Sequence, residues 1–177
     1  YPALSDAVRA YLRRASGREL GAGEVRQAAI AIANPVEGDE VGMTNHCWRF
    51  SIAALKAELG FDTLLVVNDF AALAMSLPHL KAEQRERIGG GIGQEGKPIG
   101  LIGPGTGLGV SGVVPCGGHW MPLAGEGGHA SFAPVSRQEM KILQALWEEY
   151  GHVSAERLLS GPGLELIHRV LAGQRLG

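Results

Sequence analysis

Cysteine and charge are both scarce in this chain of 177 residues. Its two cysteines, Cys47 and Cys116, are far apart and form no CxxC pair, which excludes a cysteine zinc site and a secreted disulfide framework. We therefore expect reduced thiols in a cytoplasmic protein. Charged residues make up only 19% of the sequence, and the net charge is −2. Because no block of like charge occurs, we expect neither nucleic-acid binding nor a basic membrane-binding patch.

Residues 98–125 contain no Asp, Glu, Lys or Arg. A stretch of this length could cross a bilayer if it were a helix. Glycine and proline are too frequent in this stretch for a helix, so it is typical of buried strands joined by glycine turns. We expect no signal peptide, because the first residues open directly into a helical pattern. Since the chain opens at Tyr1 inside that pattern, we expect a piece of a longer protein.

Helical and strand patterns alternate along the sequence, which predicts an α/β fold. The most apolar strand covers 63–67 and is typical of a strand buried on both faces. Ser51 suits the N-cap of a helix over 52–59, and Gly60 suits its end. The other predicted strands are 28–32, 40–45, 99–102, 108–114 and 120–123; the other predicted helices are 2–16, 70–77, 81–87 and 139–150, with short helices from 154 and 162.

Glycine is abundant, with 27 residues, and four glycines surround Thr106 between two predicted strands. We expect the backbone N–H groups of Gly103, Gly105, Gly107 and Gly109 to form a concave site for phosphate oxygens, with Thr106 adding a hydroxyl. The loop lacks the Gly-Lys-Ser/Thr ending of a Walker A motif. It also leads into a strand, whereas a Rossmann turn leads into a helix. A tight hairpin without a ligand is the alternative.

Polar side chains lie at the ends of several predicted elements. Asn68 and Asp69 follow the most apolar strand, where open α/β sheets bind ligands. Asp69 also suits a helix N-cap, a role compatible with accepting a proton. Glu126 and His129 lie among glycines, which leave their side chains reachable by a ligand. The alternative is a plain surface loop. Glu156 begins a short helix, where the helix dipole alone favours an acidic residue.

Four segments in this order carry a resemblance to a known family: Val66-Val67-Asn68-Asp69-Phe70, Gly103-Pro104-Gly105-Thr106-Gly107-Leu108-Gly109, Leu123-Ala124-Gly125-Glu126-Gly127-Gly128-His129 and Ser154-Ala155-Glu156-Arg157-Leu158-Leu159-Ser160-Gly161-Pro162-Gly163. With Met43-Thr44-Asn45-His46 and Trp48 upstream, they closely resemble the bacterial glucokinase family of the hexokinase/actin-like ATPase superfamily. The likeness implies a ribonuclease H-like α/β fold with a mixed sheet and flanking helices. Residues 1–97 would then form most of the small domain and 98–177 the beginning of the large one.

The same resemblance implies phosphorylation of glucose by ATP at the 6-hydroxyl, the first step of glycolysis, with Mg²⁺ and in a cytoplasmic homodimer. It makes Asp69 the general base. The residues that it assigns to the sugar hydroxyls are Asn68, Asp69, Glu126, His129 and Glu156. Those that it assigns to the phosphates of ATP are Gly103, Gly105, Thr106 and Gly107. Related sugar kinases carry a cysteine-rich zinc motif after the equivalent of His129, and the absence of cysteine from 130–134 disfavours that branch.

The family pattern extends beyond this sequence at both ends. The family opens with a strand and an Asp-x-Gly-Gly-Thr loop that supports Mg²⁺ and the phosphates, and nothing like it precedes Tyr1. It continues past Gly177 with the adenosine-binding part. We therefore expect the isolated chain to have negligible kinase activity. Two alternatives remain: a glycosidase using two of the carboxylates Asp69, Glu126 and Glu156, and a non-catalytic sugar-binding or regulatory module.

Overall fold

Helices and strands alternate in the computed structural model, which describes residues 1–18, 24–43 and 46–173. This order confirms the α/β prediction. The chain divides into two compact units, Tyr1–Ala72 and Leu73–Gly177. The expected domains 1–97 and 98–177 stay a prediction. No helix in the described part of the chain is long and apolar enough to cross a membrane.

Among its described residues, the first unit contains two small sheets. One is a parallel pair of Gln27–Ile32 with Thr63–Asn68, and the other is an antiparallel pair of Glu40–Gly42 with Arg49–Ser51. The elements in chain order are α1 (Leu4–Ser16), β1 (Gln27–Ile32), β2 (Glu40–Gly42), β3 (Arg49–Ser51), α2 (Ile52–Leu59), β4 (Thr63–Asn68) and α3 (Asp69–Ser76), whose last residues enter the second unit. Strand β3 was not predicted, because three residues are too few to show a period. The second half of the predicted strand 40–45 includes Thr44 and Asn45, which lie outside the described residues.

The ends of α2 agree with the sequence. The Ser51 hydroxyl accepts the amide hydrogen of Ala54 at 3.0 Å, and Gly60 ends the helix with a left-handed φ of 70°. Both features satisfy backbone groups that a helix leaves unpaired at its ends. The predicted N-cap and the predicted end of this helix are therefore confirmed.

Strand β4 and its neighbours form the core of the first unit. Ile32, Val41 and Val66 are buried together there. The expectation that β4 is buried on both faces is wrong, since Leu65 is 54% exposed. Within the described residues β4 has β1 as its one paired strand, and the Leu65 face of the strand remains open to solvent. A strand of this kind exposes alternate side chains because successive residues point to opposite faces.

The second unit is built on an antiparallel sheet of three consecutive strands, followed by three helices. The elements are β5 (Ile99–Pro104), β6 (Leu108–Cys116), β7 (His119–Leu123), α4 (Arg137–Trp147), α5 (Ala155–Leu158) and α6 (Gly161–Leu171). All three predicted strands are confirmed, each at least one residue longer. The helices bury Ile142, Leu143, Leu146, Val153 and Leu158 in one cluster.

Serine side chains begin all three helices of the second unit. Ser136, Ser154 and Ser160 accept the amide hydrogens of Glu139, Arg157 and Gly163, respectively.

The predicted helix over 81–87 is only the single 3-10 turn Ala82–Gln84. Its residues are polar on every side, so a longer helix would have no apolar face to bury.

Candidate functional site

The predicted site residues fall into two groups. Asn68 and Asp69 belong to the first unit, whereas the glycine hairpin, Glu126, His129 and Glu156 belong to the second.

Asn68 and Asp69 lie where β4 passes directly into α3. Asn68 Oδ1 accepts the amide hydrogen of Ala71 at 3.1 Å, three residues on, as an N-cap side chain does. Asp69 Oδ1 accepts the amide hydrogen of Phe70 at 2.8 Å. The N-cap role suggested for Asp69 is therefore wrong, because Asn68 fills it and Asp69 is already helical.

The second oxygen of Asp69 remains available for chemistry. Within the described residues, Asp69 Oδ2 accepts no hydrogen bond. The carboxylate is therefore held at Oδ1 and open at Oδ2, which suits a group that must accept a proton in a fixed orientation.

Sequence reasoning missed Asn34, a buried residue that supports this strand end. Its main-chain oxygen accepts a hydrogen bond from Asn68 Nδ2 at 3.4 Å, and its own Nδ2 donates to the Gly42 oxygen at 3.2 Å. Its position in the sequence could have indicated this role. Asn34 lies just after the end of β1, and Asn68 lies at the end of the paired strand β4, where the register aligns it with Ile32.

In the second unit, Glu126, His129 and Glu156 come together. His129 Nε2 lies 3.8 Å from Glu126 Oε2, and His129 Nδ1 lies 3.8 Å from Glu156 Oε1. The imidazole therefore stands between two carboxylates, each slightly too far away for a direct hydrogen bond. Such a cluster offers several acceptors and at least one donor to a ligand that carries hydroxyl groups. No group of three or more His, Cys, Asp or Glu among the described residues could hold a metal ion.

Two local features assemble this cluster. The single 3-10 turn Gly127–His129 brings Glu126 and His129 to the same side. Farther along the chain, the Ala155 amide donates to the Ala130 oxygen at 2.8 Å, which places Glu156 beside His129. The second contact links residues far apart in sequence, so only the three-dimensional structure brings Glu156 to His129.

Packing, more than ligand access, accounts for the glycines of this turn. A Cβ on Gly127 would lie 2.8 Å from Val110 Cγ1, and a Cβ on Gly128 would lie 2.1 Å from the Leu108 oxygen. The turn thus lies directly on β6, and a side chain at either position would separate them. Gly125, in contrast, has open space around it.

The glycine hairpin joins β5 to β6 through residues 105–107. The Gly105 amide donates to the Gly107 oxygen at 2.8 Å, and the Gly161 amide donates to the Gly105 oxygen at 2.8 Å. None of the hairpin glycines has a positive φ. A Cβ at Gly107 would lie 2.5 Å from Glu156 Oε2, so a side chain there would displace the end of the Glu156 side chain.

The hairpin tip still offers unpaired donors. In the part of the chain that the structure describes, the amides of Thr106 and Gly107 and the Thr106 hydroxyl make no hydrogen bond. The next amide, that of Leu108, donates to Glu156 Oε2 at 2.9 Å. Backbone amides in a tight turn form a favourable environment for anionic oxygens.

Thr106 also lies on the edge of an open cleft of about 390 Å³ formed with α5 and α6. Arg157 and Arg169 line this cleft, and sequence reasoning did not select them. The Arg157 guanidinium carbon lies 4.2 Å from the ring centroid of Tyr150, and Arg169 pairs with Glu165 at 2.7 Å. Three carboxylates line the same cleft, those of Glu149, Glu156 and Glu165.

Comparisons with known proteins agree on one family. The family model described as Glucokinase matches residues 1–176. A glucokinase of Chromobacterium violaceum is 53% identical over 171 residues, which cover 97% of this chain and 48% of that protein. A glucokinase of Aromatoleum aromaticum is 54% identical over 96% of this chain and 51% of its own length. A "Bifunctional protein glk" of Burkholderia pseudomallei is 56% identical over 98% of this chain and 26% of its own length.

The structural comparison gives the same result. The crystal structure of a glucokinase from an Antarctic psychrotroph matches with a TM-score of 0.82 and 33% identity over 100% of this chain and 54% of that one. The expected hexokinase-like fold is therefore confirmed. The chain spans about half the length of the glucokinases it matches and about a quarter of the bifunctional relative.

Proposed function

Because the chain belongs to the glucokinase family, we propose that it carries the sugar-binding groups, a phosphate-binding hairpin and the general base of an enzyme that transfers a phosphoryl group from ATP to the 6-hydroxyl of glucose. The observation that carries this proposal is the cluster of Glu126, His129 and Glu156 next to the hairpin. By the same family membership we propose a cytoplasmic homodimer for the intact enzyme.

The cluster suits a neutral sugar. Glucose presents a ring of hydroxyl groups, and a carboxylate can accept hydrogen bonds from two neighbouring hydroxyls. Glu126 and Glu156 supply two such carboxylates on either side of the His129 imidazole. A sugar that lacks one of these hydroxyls would leave an acceptor unpaired and would bind less tightly.

The hairpin suits the transferred phosphate. Phosphoryl transfer requires positioning and stabilisation of negative charge more than covalent chemistry by the protein. The free amides of Thr106 and Gly107 and the Thr106 hydroxyl can donate to phosphate oxygens.

Asp69 suits the general base, since its Oδ2 atom is open and its Oδ1 atom is fixed by the Phe70 amide. Removal of the hydroxyl proton by such a carboxylate contributes about 10²- to 10⁴-fold to the rate. Nucleotide chemistry of this family also implies Mg²⁺. The described residues offer no cluster of His, Cys, Asp or Glu side chains that could hold this metal.

The alternatives make less use of these residues. A glycosidase needs two facing carboxyl groups about 5–9.5 Å apart and has no use for the hairpin donors. A non-catalytic sugar-binding module would use the cluster but not the hairpin donors.

A chimera provides the test. The matched part of this chain would replace the corresponding segment of the Chromobacterium violaceum glucokinase, which is 53% identical to it. Glucose 6-phosphate would be measured by coupling to NADPH formation, with the parent enzyme as control. We expect NADPH formation that requires both glucose and ATP. A folded chimera that binds glucose by calorimetry without forming product would favour the binding module and refute the proposal.

A further inference from the structure

The Glu156 carboxylate is shared between two parts of the second unit. Its Oε2 atom accepts the Leu108 amide hydrogen at 2.9 Å, and its Oε1 atom lies 3.8 Å from His129 Nδ1. The two oxygens belong to one rigid planar group, so neither can move without the other. We propose that Glu156 is a positioning residue that fixes the phosphate hairpin and transmits sugar binding to it. This inference rests on the proposed function.

Space at Gly107 makes the contact possible. A Cβ at this position would lie 2.5 Å from Glu156 Oε2, whereas a Cβ on the neighbouring Gly105 would meet nothing within 4 Å. Neither glycine has a positive φ. The absence of a side chain at Gly107 is therefore matched to the carboxylate, and the two glycines form a controlled pair for experiment.

Leu108 is the point where the sugar cluster meets the hairpin. Its amide donates to Glu156, and its carbonyl oxygen faces Gly128 in the turn that carries His129. A second link from the same helical region joins the Gly161 amide to the Gly105 oxygen at 2.8 Å. A displacement of Glu156 by a bound sugar would consequently change the environment of the amides at the hairpin tip.

The first part of the test needs no ligand. Amide hydrogen exchange at Leu108 would be measured by NMR in the full 177-residue chain. Loss of a hydrogen bond to a charged group predicts exchange about 10- to 100-fold faster in Glu156→Ala. Glu156→Gln keeps an acceptor oxygen and should restore most of the protection. Glu126→Gln removes the other carboxylate of the cluster and should leave Leu108 protected.

The glycine pair tests the same link from the hairpin side. Gly107→Ala should accelerate exchange at Leu108 as Glu156→Ala does, and Gly105→Ala should not. This pair keeps the inference testable if Glu156→Ala fails to fold. Unchanged protection of Leu108 in either Glu156→Ala or Gly107→Ala would overturn the inference.

The second part adds glucose to the same chain. We expect the amide signals of Thr106, Gly107 and Leu108 to shift together with the ring signals of His129, and the hairpin shifts to disappear in Glu156→Ala. Glucose that shifts His129 without shifting the hairpin would refute the coupling but not the proposed function. Glucose that shifts no signal would count against sugar binding by this chain, and the exchange result at Leu108 would still decide the positioning role.

Discussion

Asn68 Nδ2 donates a hydrogen bond to the main-chain oxygen of Asn34, 3.4 Å away, where β1 and β4 end side by side. The same Asn68 side chain caps α3 through the Ala71 amide. One amide side chain therefore fixes both the strand end and the helix that begins with Asp69. The geometry of the proposed base depends on this asparagine as well as on the aspartate itself.

Asp69→Asn should nearly abolish turnover in the chimera. The amide cannot accept the hydroxyl proton, so kcat should fall by about 10²- to 10⁴-fold while glucose binding changes little. Steady-state kinetics and calorimetry would measure the two effects. Asp62→Asn is the matched control, since Asp62 pairs with Arg26 on the exposed surface of the same unit. A kcat within a few-fold of the unsubstituted chimera would exclude Asp69 as the base.

Asn68→Ala should destabilise the chain by about 1 kcal/mol, because it removes the N-cap of α3. Urea denaturation followed by circular dichroism would measure the change. Asn68→Ser keeps a capping oxygen and should recover most of the loss. Equal stability of the alanine and wild-type chains would contradict the capping role seen in the structure.

Gly128→Ala should destabilise the second unit by about 1–3 kcal/mol, the usual cost of forcing extra atoms into a packed site. The added Cβ would lie 2.1 Å from the Leu108 oxygen, and backbone must move to admit it. Gly125→Ala is the control, because a Cβ there meets nothing within 4 Å. Thermal unfolding of the two variants should separate them clearly; equal melting temperatures would show that the turn does not pack on β6 as described.

Asp39 should make the start of α2 sensitive to acid. Its pKa lies below the ordinary value, chiefly because the Ser51 hydroxyl donates to the carboxylate and secondly because the Ala53 amide does. A lowered folded-state pKa contributes stability above the unfolded value of about 4, and this stability is lost as the pH falls further. We expect the urea midpoint to drop less between pH 5 and pH 3 in Asp39→Asn than in the wild type. Glu37→Gln is the control and should follow the wild type.

Local signals predicted much of the fold. Ser51 and Gly60 marked the ends of α2, and the apolar run before Asn68 marked β4, because capping and apolar periodicity are properties of neighbouring residues. The strand β3 and the 3-10 turn Ala82–Gln84 were not predicted as such. Short elements of this kind depend on what they pack against, and sequence periods do not report it.

In the candidate site, too, local sequence predicted some features, and others depend on contacts between distant residues. Glycine context selected Glu126 and His129, the family resemblance added Glu156, and the structure brings these three side chains together. The hydrogen bond from the Leu108 amide to Glu156 spans 48 residues of sequence, so no local pattern could indicate it. Arg157 was overlooked for a related reason: its place beside the cleft depends on how α5 and α6 pack.

The missing side chain at Gly107 has an evolutionary consequence. Since a Cβ at this position would meet the end of the acidic side chain at 156, the two sites should vary as a pair among homologues. A relative with alanine at the first site should carry a shorter residue at the second. A methyl group at 107 would push the end of Glu156 away from the Leu108 amide, and a shorter aspartate at 156 would leave room for that methyl group.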